Sequence, residues 1–313
     1  MRSKHITAPT ALSSFFIHHV RSAVTCAPRI TERVHQKHMK RILAFALGAI
    51  FCLTLLPVLS GCAAPYTQGL EFTPFSSDPT ACSVSGRGTA EGGVLRIPPT
   101  SPGGMRVVAV EPFAFLNDGE ITEVILPDSV HTVGTYAFAG CEKLTEVSFG
   151  EELLDVEDFA FEGCSSLVRF TSFGRTKDLT LSFPIAEGQT LEIKRNLLLF
   201  PAKTRHVGDG AFAGCEKLEG VLVLTDGVEY VGSMAFAGTK LPFAYVYPTV
   251  TTLGEDVFFE VEELLLGTSL TAPPKGWSDR FHAVGSSAVG EVLWDTSFQS
   301  FVQTLAKRIG LFG

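Results

Sequence analysis

The 313-residue chain is 45% hydrophobic and 19% charged, which suits a folded protein carrying an apolar segment. Its net charge of −8 conceals an asymmetry: eight of the 25 basic residues but only one of the 33 acidic ones, Glu32, precede Cys62, so the rest of the chain sets 17 basic residues against 32 acidic ones. That acidic remainder has no basic block, which argues against nucleic acid or an anionic lipid surface as a partner, because phosphate contacts need clustered Lys and Arg.

Residues 1–38 hold six Lys or Arg, five of the eight His and no periodic apolar pattern. Met39-Lys40-Arg41 then opens a nearly uninterrupted apolar run, Ile42 to Leu59, that exits through Ser60-Gly61-Cys62. A basic start, an apolar run and a small-residue exit make residues 39–61 a secretory signal peptide. The alternative is a transmembrane anchor, since the 18 residues of the run just span a bilayer; Pro57 and the small-residue exit favour the signal. Leu59-Ser60-Gly61-Cys62 also resembles the lipobox of bacterial lipoproteins. That resemblance implies cleavage before Cys62, diacylation of its thiol, and an acyl chain as the sole membrane contact of an exported protein in the periplasm or at the cell surface. A signal begins near its start codon, so Met39 is the natural initiator, and residues 1–38 are expected to be a mis-assigned extension or to leave with the signal.

Residues 62–81, with Pro65, Pro74 and Pro79 and several Ser, read as a flexible tether. The Gly- and Ser-rich stretch 82–104 reads as a frayed or capping unit, with a first strand at Val94 to Pro98.

Residues 82–272 then repeat. Ala-Phe recurs at Ala114-Phe115, Ala137-Phe138, Ala160-Phe161, Ala211-Phe212 and Ala235-Phe236, and as Val257-Phe258. Four of these steps are 22 to 24 residues, and the fifth, 51 residues, corresponds to two steps plus an insertion. A period in this range signals a solenoid, whose units bury their apolar faces only against one another. Inward positions fall at Val130 and Val133, and at their counterparts one period away, such as Val107 and Val110. Gly134, Gly208, Gly232 and Gly254 mark bends where positive φ is expected. A Leu or Ile such as Ile121, Leu144, Leu167, Leu218 or Leu241 leads into each short strand, and Pro127, Pro201 and Pro248 close strands.

The frame Pro-x-x-Val-x-x-Val-Gly-x-x-Ala-Phe-x-Gly-Cys-x-x-Leu, seen from Pro127 to Leu144, resembles the BspA-like leucine-rich repeats of bacterial surface and host-associated proteins. The resemblance covers roughly residues 94–270 and is interrupted by an irregular unit at 172–206. It implies an α/β-type leucine-rich repeat solenoid, with short parallel strands on one face and irregular or helical turns on the other. It also implies a non-enzymatic binding or adhesion role, with a protein, a host protein among the candidates, or an apolar ligand as partner.

After Pro273-Pro274 the repeat stops, and residues 273–313 form a C-terminal cap. Asp295 to Phe312 reads as an amphipathic helix with Asp295 as N-cap and Phe298, Phe301, Leu305 and Ile309 on one face. It either covers the last coil or binds a partner, and the first reading is favoured.

Cys141, Cys164 and Cys215 share one repeat slot and read as small buried hydrophobes, although stacked slots lie close enough for disulfides in an exported protein. No Cys or His spacing suits zinc, His131, His206 and His282 read as exposed turn residues, and Gly86 to Gly92 lacks the strand, helix and Lys of a phosphate loop. No catalytic residue, metal or cofactor is expected. Counted from the repeat's Leu, the exposed strand positions are Glu123 and Ile125, Glu146 and Ser148, and Arg169 and Thr171 in the early units. In later units they become Leu222, Leu224, Phe243, Tyr245 and Tyr247, joined by Leu198 and Phe200 if the inserted strand keeps register. An apolar, aromatic patch of this kind marks an interaction site. A one-residue register error would turn it inward, and the C-terminal segment would hide it if it folded back. The patch serves either a partner or self-association in an envelope scaffold, and the oligomeric state stays open.

Overall fold

Each repeat gives one short strand to each of two parallel sheets. The computed structural model describes residues 66–172, 181–186, 189–193, 197–261, 264–278 and 291–308. The 1–38 extension, the signal peptide, Cys62, His282 and Ile309 lie outside these residues. In chain order the first strands are β1 (Glu71–Pro74), β2 (Ala81–Gly86), β3 (Val94–Arg96), β4 (Arg106–Val110), β5 (Glu123–Ile125), β6 (Thr132–Val133), β7 (Glu146–Ser148), β8 (Asp155–Val156) and β9 (Arg169–Thr171). A hairpin follows, β10 (Leu181–Ala186) with β11 (Gln189–Ile193). The rest are β12 (Leu197–Leu199), β13 (His206–Val207), β14 (Glu219–Leu224), β15 (Tyr230–Val231), β16 (Lys240–Val246), β17 (Thr252–Leu253), β18 (Leu265–Thr268), β19 (Glu291–Leu293) and the helix α1 (Phe298–Arg308).

The narrow sheet has the order β1-β2-β4-β6-β8-β13-β15-β17, parallel except for the β1–β2 pair. The broad sheet runs β3-β5-β7-β9 and, after a break in the ladder, β12-β14-β16-β18-β19. The stretch expected to be tether therefore already carries an edge strand: Leu70 is buried, and the Thr67 N–H donates to Arg96 O at 2.9 Å.

The face opposite the broad sheet is thus a second parallel sheet rather than a row of helical turns, and α1 is the sole helix among the described residues. A coil of 22 to 24 residues holding two strands and corners rich in Pro and Gly leaves no stretch long enough to propagate a helix past its costly nucleus.

Between the sheets runs a column of rings. Phe115, Phe138, Phe161, Phe212, Phe236 and Phe258 stack in turn at centroid spacings of 5.1, 5.3, 5.2, 5.4 and 5.9 Å. The spacing is that of neighbouring strands, so each Phe is one rung, held by a backbone bond such as Phe138 N–H to Ala160 O at 2.8 Å. The repeat Cys sits below it: the Cys141, Cys164 and Cys215 thiols donate to Phe115, Phe138 and Phe161 carbonyls at 3.2, 3.2 and 3.3 Å.

Two sequence expectations change here. The 51-residue gap is one rung, because Phe161 stacks directly on Phe212 and β8 pairs directly with β13. After β9 the chain makes the hairpin and returns as β12, adding a broad-sheet strand with no narrow-sheet counterpart. Phe200 fills the resulting wedge, with its ring centroid 4.7 Å from that of Phe170. Second, Gly134 and its equivalents do not adopt positive φ. They are glycine because a Cβ on Gly134 would lie 2.6 Å from the backbone nitrogen of Pro112 in the preceding coil. The left-handed conformation falls two residues later, at Tyr136 and at Phe113, Phe159, Gly210, Met234 and Asp256 in the same slot.

Candidate interaction surface

On the broad sheet the pleat decides what faces out. In the early strands Val124, Val147 and Phe170 are buried, and their neighbours Glu123, Glu146 and Arg169 face out, with an Arg169–Glu146 ion pair at 2.8 Å. Ser148, expected to be exposed, is buried and lies 3.3 Å from the Thr171 hydroxyl.

In the later strands the expected register holds for β16 alone. Leu198, Phe200, Leu222 and Leu224 are inside, at 0 to 2% exposure, and the outward residues are Leu197, Leu199, Val221 and Val223. On β14 the change coincides with an irregularity: the β14–β16 register shifts between Glu219 and Val221, which face Lys240 and Phe243, and Gly220 between them has φ 131°. β12 takes the same faces as β14, since Leu197 to Leu199 pair with Val221 to Val223 in unbroken register. A one-residue slip of this kind reverses every side chain that follows on the strand. A Gly directly after Leu218-Glu219 was the legible sign of it.

On β16, Phe243 and Tyr245 point outward as expected, with Tyr247 just beyond, but the face they form has an occupant. Phe301, Val302 and Leu305 of α1 are fully buried against Val221, Val223, Tyr245 and Leu265. Fully burying such side chains is worth about 1.5–3 kcal/mol each. Tyr245 is 2% exposed; its ring lies 4.9 Å from Phe298 and 5.4 Å from Phe301, and its hydroxyl donates to Thr296 O at 3.0 Å. Burial pushes the Tyr245 phenol above its ordinary range. The helix N-cap is Ser297, whose Oγ accepts the Ser300 N–H at 3.2 Å, not Asp295, which sits at φ 53° in the turn before it. Phe243, Tyr247, Leu197 and Leu199 stay half-buried at the rim of α1.

On the opposite sheet His131 and His206 are half-buried rather than exposed, and the His206 ring stacks on Tyr230 at 4.6 Å. Cys82, Cys141, Cys164 and Cys215 are free and buried. Among the described residues no group of His, Cys, Asp or Glu is arranged to hold a metal ion, and no helix is long and apolar enough to cross a membrane.

Stacked coils, a Phe rung in each and paired parallel sheets define the class as a leucine-rich repeat β-solenoid. Residues 108–180 and 192–267 match the model of the BspA type leucine rich repeat region in six copies, and the repeat region belongs to that family. Among solved structures, the chain resembles a leucine-rich repeat protein of T. pallidum at 20% identity, over 77% of this chain and 93% of that one, with a TM-score of 0.49. A leucine-rich repeat protein from Bacteroides capillosus aligns at 26% identity, over 32% of this chain and 75% of that one, with a TM-score of 0.28. A pneumococcal vaccine antigen aligns at 15% identity, over 69% of this chain and 46% of that one, with a TM-score of 0.40. No curated protein matches the sequence.

Proposed function

We propose that the protein is exported, held at a bacterial membrane by an acyl chain on Cys62, and binds a protein or apolar ligand through the outward broad-sheet face of its C-terminal coils. The observation that carries this reading is the rim around α1. Phe243, Tyr247, Leu197 and Leu199 extend the apolar face beyond the area the helix covers and stay half accessible. Partly exposed aromatic residues beside a buried apolar cluster are suited to an interface core. Leu198, Phe200, Leu222 and Leu224 hold the core beneath this face, and Tyr245 anchors α1. The family supports the same direction, since BspA-type repeat proteins are generally surface or secreted binding proteins. The lipobox-like Leu59-Ser60-Gly61-Cys62 supports the anchor.

Site-specific photo-crosslinking on intact cells tests the surface. A benzoylphenylalanine at position 243 should give discrete adducts, and one at position 123, on the polar half of the same sheet, should not. Equal labelling at both positions would remove the surface from consideration. Adducts composed only of this protein would instead favour self-association through the same rim. For the anchor, palmitate labelling should depend on Cys62, and a Cys62→Ser variant that keeps the label would contradict it.

A further inference from the structure

We propose that the turn edge bearing Phe113, Tyr136 and Phe159 is a docking strip for an arginine- and lysine-rich extended segment of another protein. These rings form a second column, outside the core. Phe113 stacks on Tyr136 at 5.4 Å and Tyr136 on Phe159 at 4.9 Å, with interplanar angles of 10° and 12°. Phe113 is 55% exposed at the open end of the column, and Leu116, beside it, is 42% exposed.

The fold does not require rings in this slot. All three residues take left-handed backbone, at φ 63°, 55° and 56°, where bulky side chains are disfavoured. The next coil uses Gly210 there, and the Phe159 ring lies 2.5 Å from where a Cβ on Gly210 would sit. The column therefore ends against a glycine on one side and leaves the outer face of Phe113 open on the other.

Charge selects the occupant. The turns at 111–117, 134–140, 157–163, 208–214, 232–238 and 254–260 contain no Lys, Arg or His, whereas Glu111, Glu157, Asp158, Glu162 and Asp209 flank the rings. Several of these carboxylates are fixed in place: Glu157 accepts the Thr135 N–H and O–H at 2.8 Å each, Asp158 the Asp209 N–H at 2.8 Å, and Asp209 the Ser233 N–H at 2.7 Å. The Arg87 guanidinium, on the neighbouring turn, is held by Asp118 at 2.9 Å. Aromatic faces beside carboxylates, in turns that carry no cation of their own, match a guanidinium, which stacks on the ring and bonds to the carboxylate at once. The strip lies on the turn edge, away from the broad-sheet face, so its failure leaves the reading above untouched.

The test is fluorescence anisotropy of a labelled peptide alternating Arg and Ser, about 12 residues long, against the full chain, with a Glu/Ser peptide as control. The native protein should bind the Arg peptide alone, more weakly at higher salt. Phe113→Gly with Tyr136→Gly relieves backbone strain and should weaken binding about tenfold or more. Phe113→Leu keeps apolar bulk without a ring and should also weaken it, which guards against a folding defect in the double variant. Asp158→Asn with Glu162→Gln should weaken binding and flatten its salt dependence. The proposal is overturned if the native protein does not bind the Arg peptide, if it binds the Glu peptide equally, or if the ring variants bind within about twofold of native.

Discussion

The ring of Phe301 occupies the space that a side chain on Gly267 would need: a Cβ there would lie 2.3 Å from a Phe301 ring carbon. Gly267 is the outward residue of β18, level with Tyr245 on β16. Helix and sheet are therefore complementary at one residue's resolution. Gly267→Val should displace α1 and cost about 1–3 kcal/mol. Limited proteolysis checks this, since α1 should become the first cleaved segment while the repeat coils stay protected. Unchanged cleavage would mean that the helix is not held by this contact.

The close approach at the coil corners is a harder constraint, because the neighbour is backbone. A Cβ on Gly134 would meet the backbone of Pro112 and Glu111 at 2.6 to 2.8 Å. Gly134→Ala should cost about 2–3 kcal/mol by forcing two coils apart, read as a drop in the urea midpoint with little change in slope.

At the left-handed slot the sign reverses. Met234 has φ 56°, is 46% exposed and belongs to no ring column. Met234→Gly should leave stability equal or raise it by up to about 1 kcal/mol, because relief of the left-handed backbone slightly exceeds the entropy glycine adds to the unfolded chain. Thermal unfolding of this variant separates backbone strain from side-chain packing.

A mid-column ring should matter most. Phe138 is fully buried and stacks on both Phe115 and Phe161. Phe138→Ala should cost about 3–5 kcal/mol, and because each coil contacts only its neighbours the loss should appear as local opening. Hydrogen exchange should then rise in the adjacent coils before it rises in those around Phe258.

The repeat thiols predict an alkaline weakness. Burial pushes the Cys141 thiol up to about 12 from an ordinary value of 9.0, and Cys164 and Cys215 are raised as well. Because the folded pKa is the higher, the unfolded chain loses its protons first as pH rises. The Cys141 contribution is therefore full below pH 9 and falls between 9 and 12, by about 1.4 kcal/mol per pH unit, and Cys164 and Cys215 act in the same direction. Urea midpoints at rising pH should show this slope, and it should shrink when all three Cys are replaced by Ala.

The sequence made the repeat legible because period, Ala-Phe and the Cys slot each report a contact between successive coils. It also made the outward positions of β5, β9 and β16, and Glu146 of β7, legible, since simple alternation holds there, whereas Ser148 of β7 is buried. The expected faces failed at β14, where the strand slips by one residue around Gly220, and at β12, which pairs with β14 in register. The opposite sheet was missed because two-residue strands such as Thr132–Val133 are too short to show a period of two. The insertion was miscounted because strand number differs between the two sheets, and a linear sequence shows only one count. Phe301 and Leu305 were readable as an apolar helix face, but their seat depended on the absent side chain of Gly267, which no hydrophobic pattern reveals.

The thiol column has one more consequence. Cys141, Cys164 and Cys215 lie one strand spacing apart, about 5 Å, within the range a disulfide bridges. In the intact solenoid each sulfur is shielded and engaged with the carbonyl of the rung before it. When a coil opens in an oxidising medium, two of them come free together and side by side. A cross-link between Cys141 and Cys164, or between Cys164 and Cys215, is thus a chemical record of which coil parted, written by the protein without any added probe.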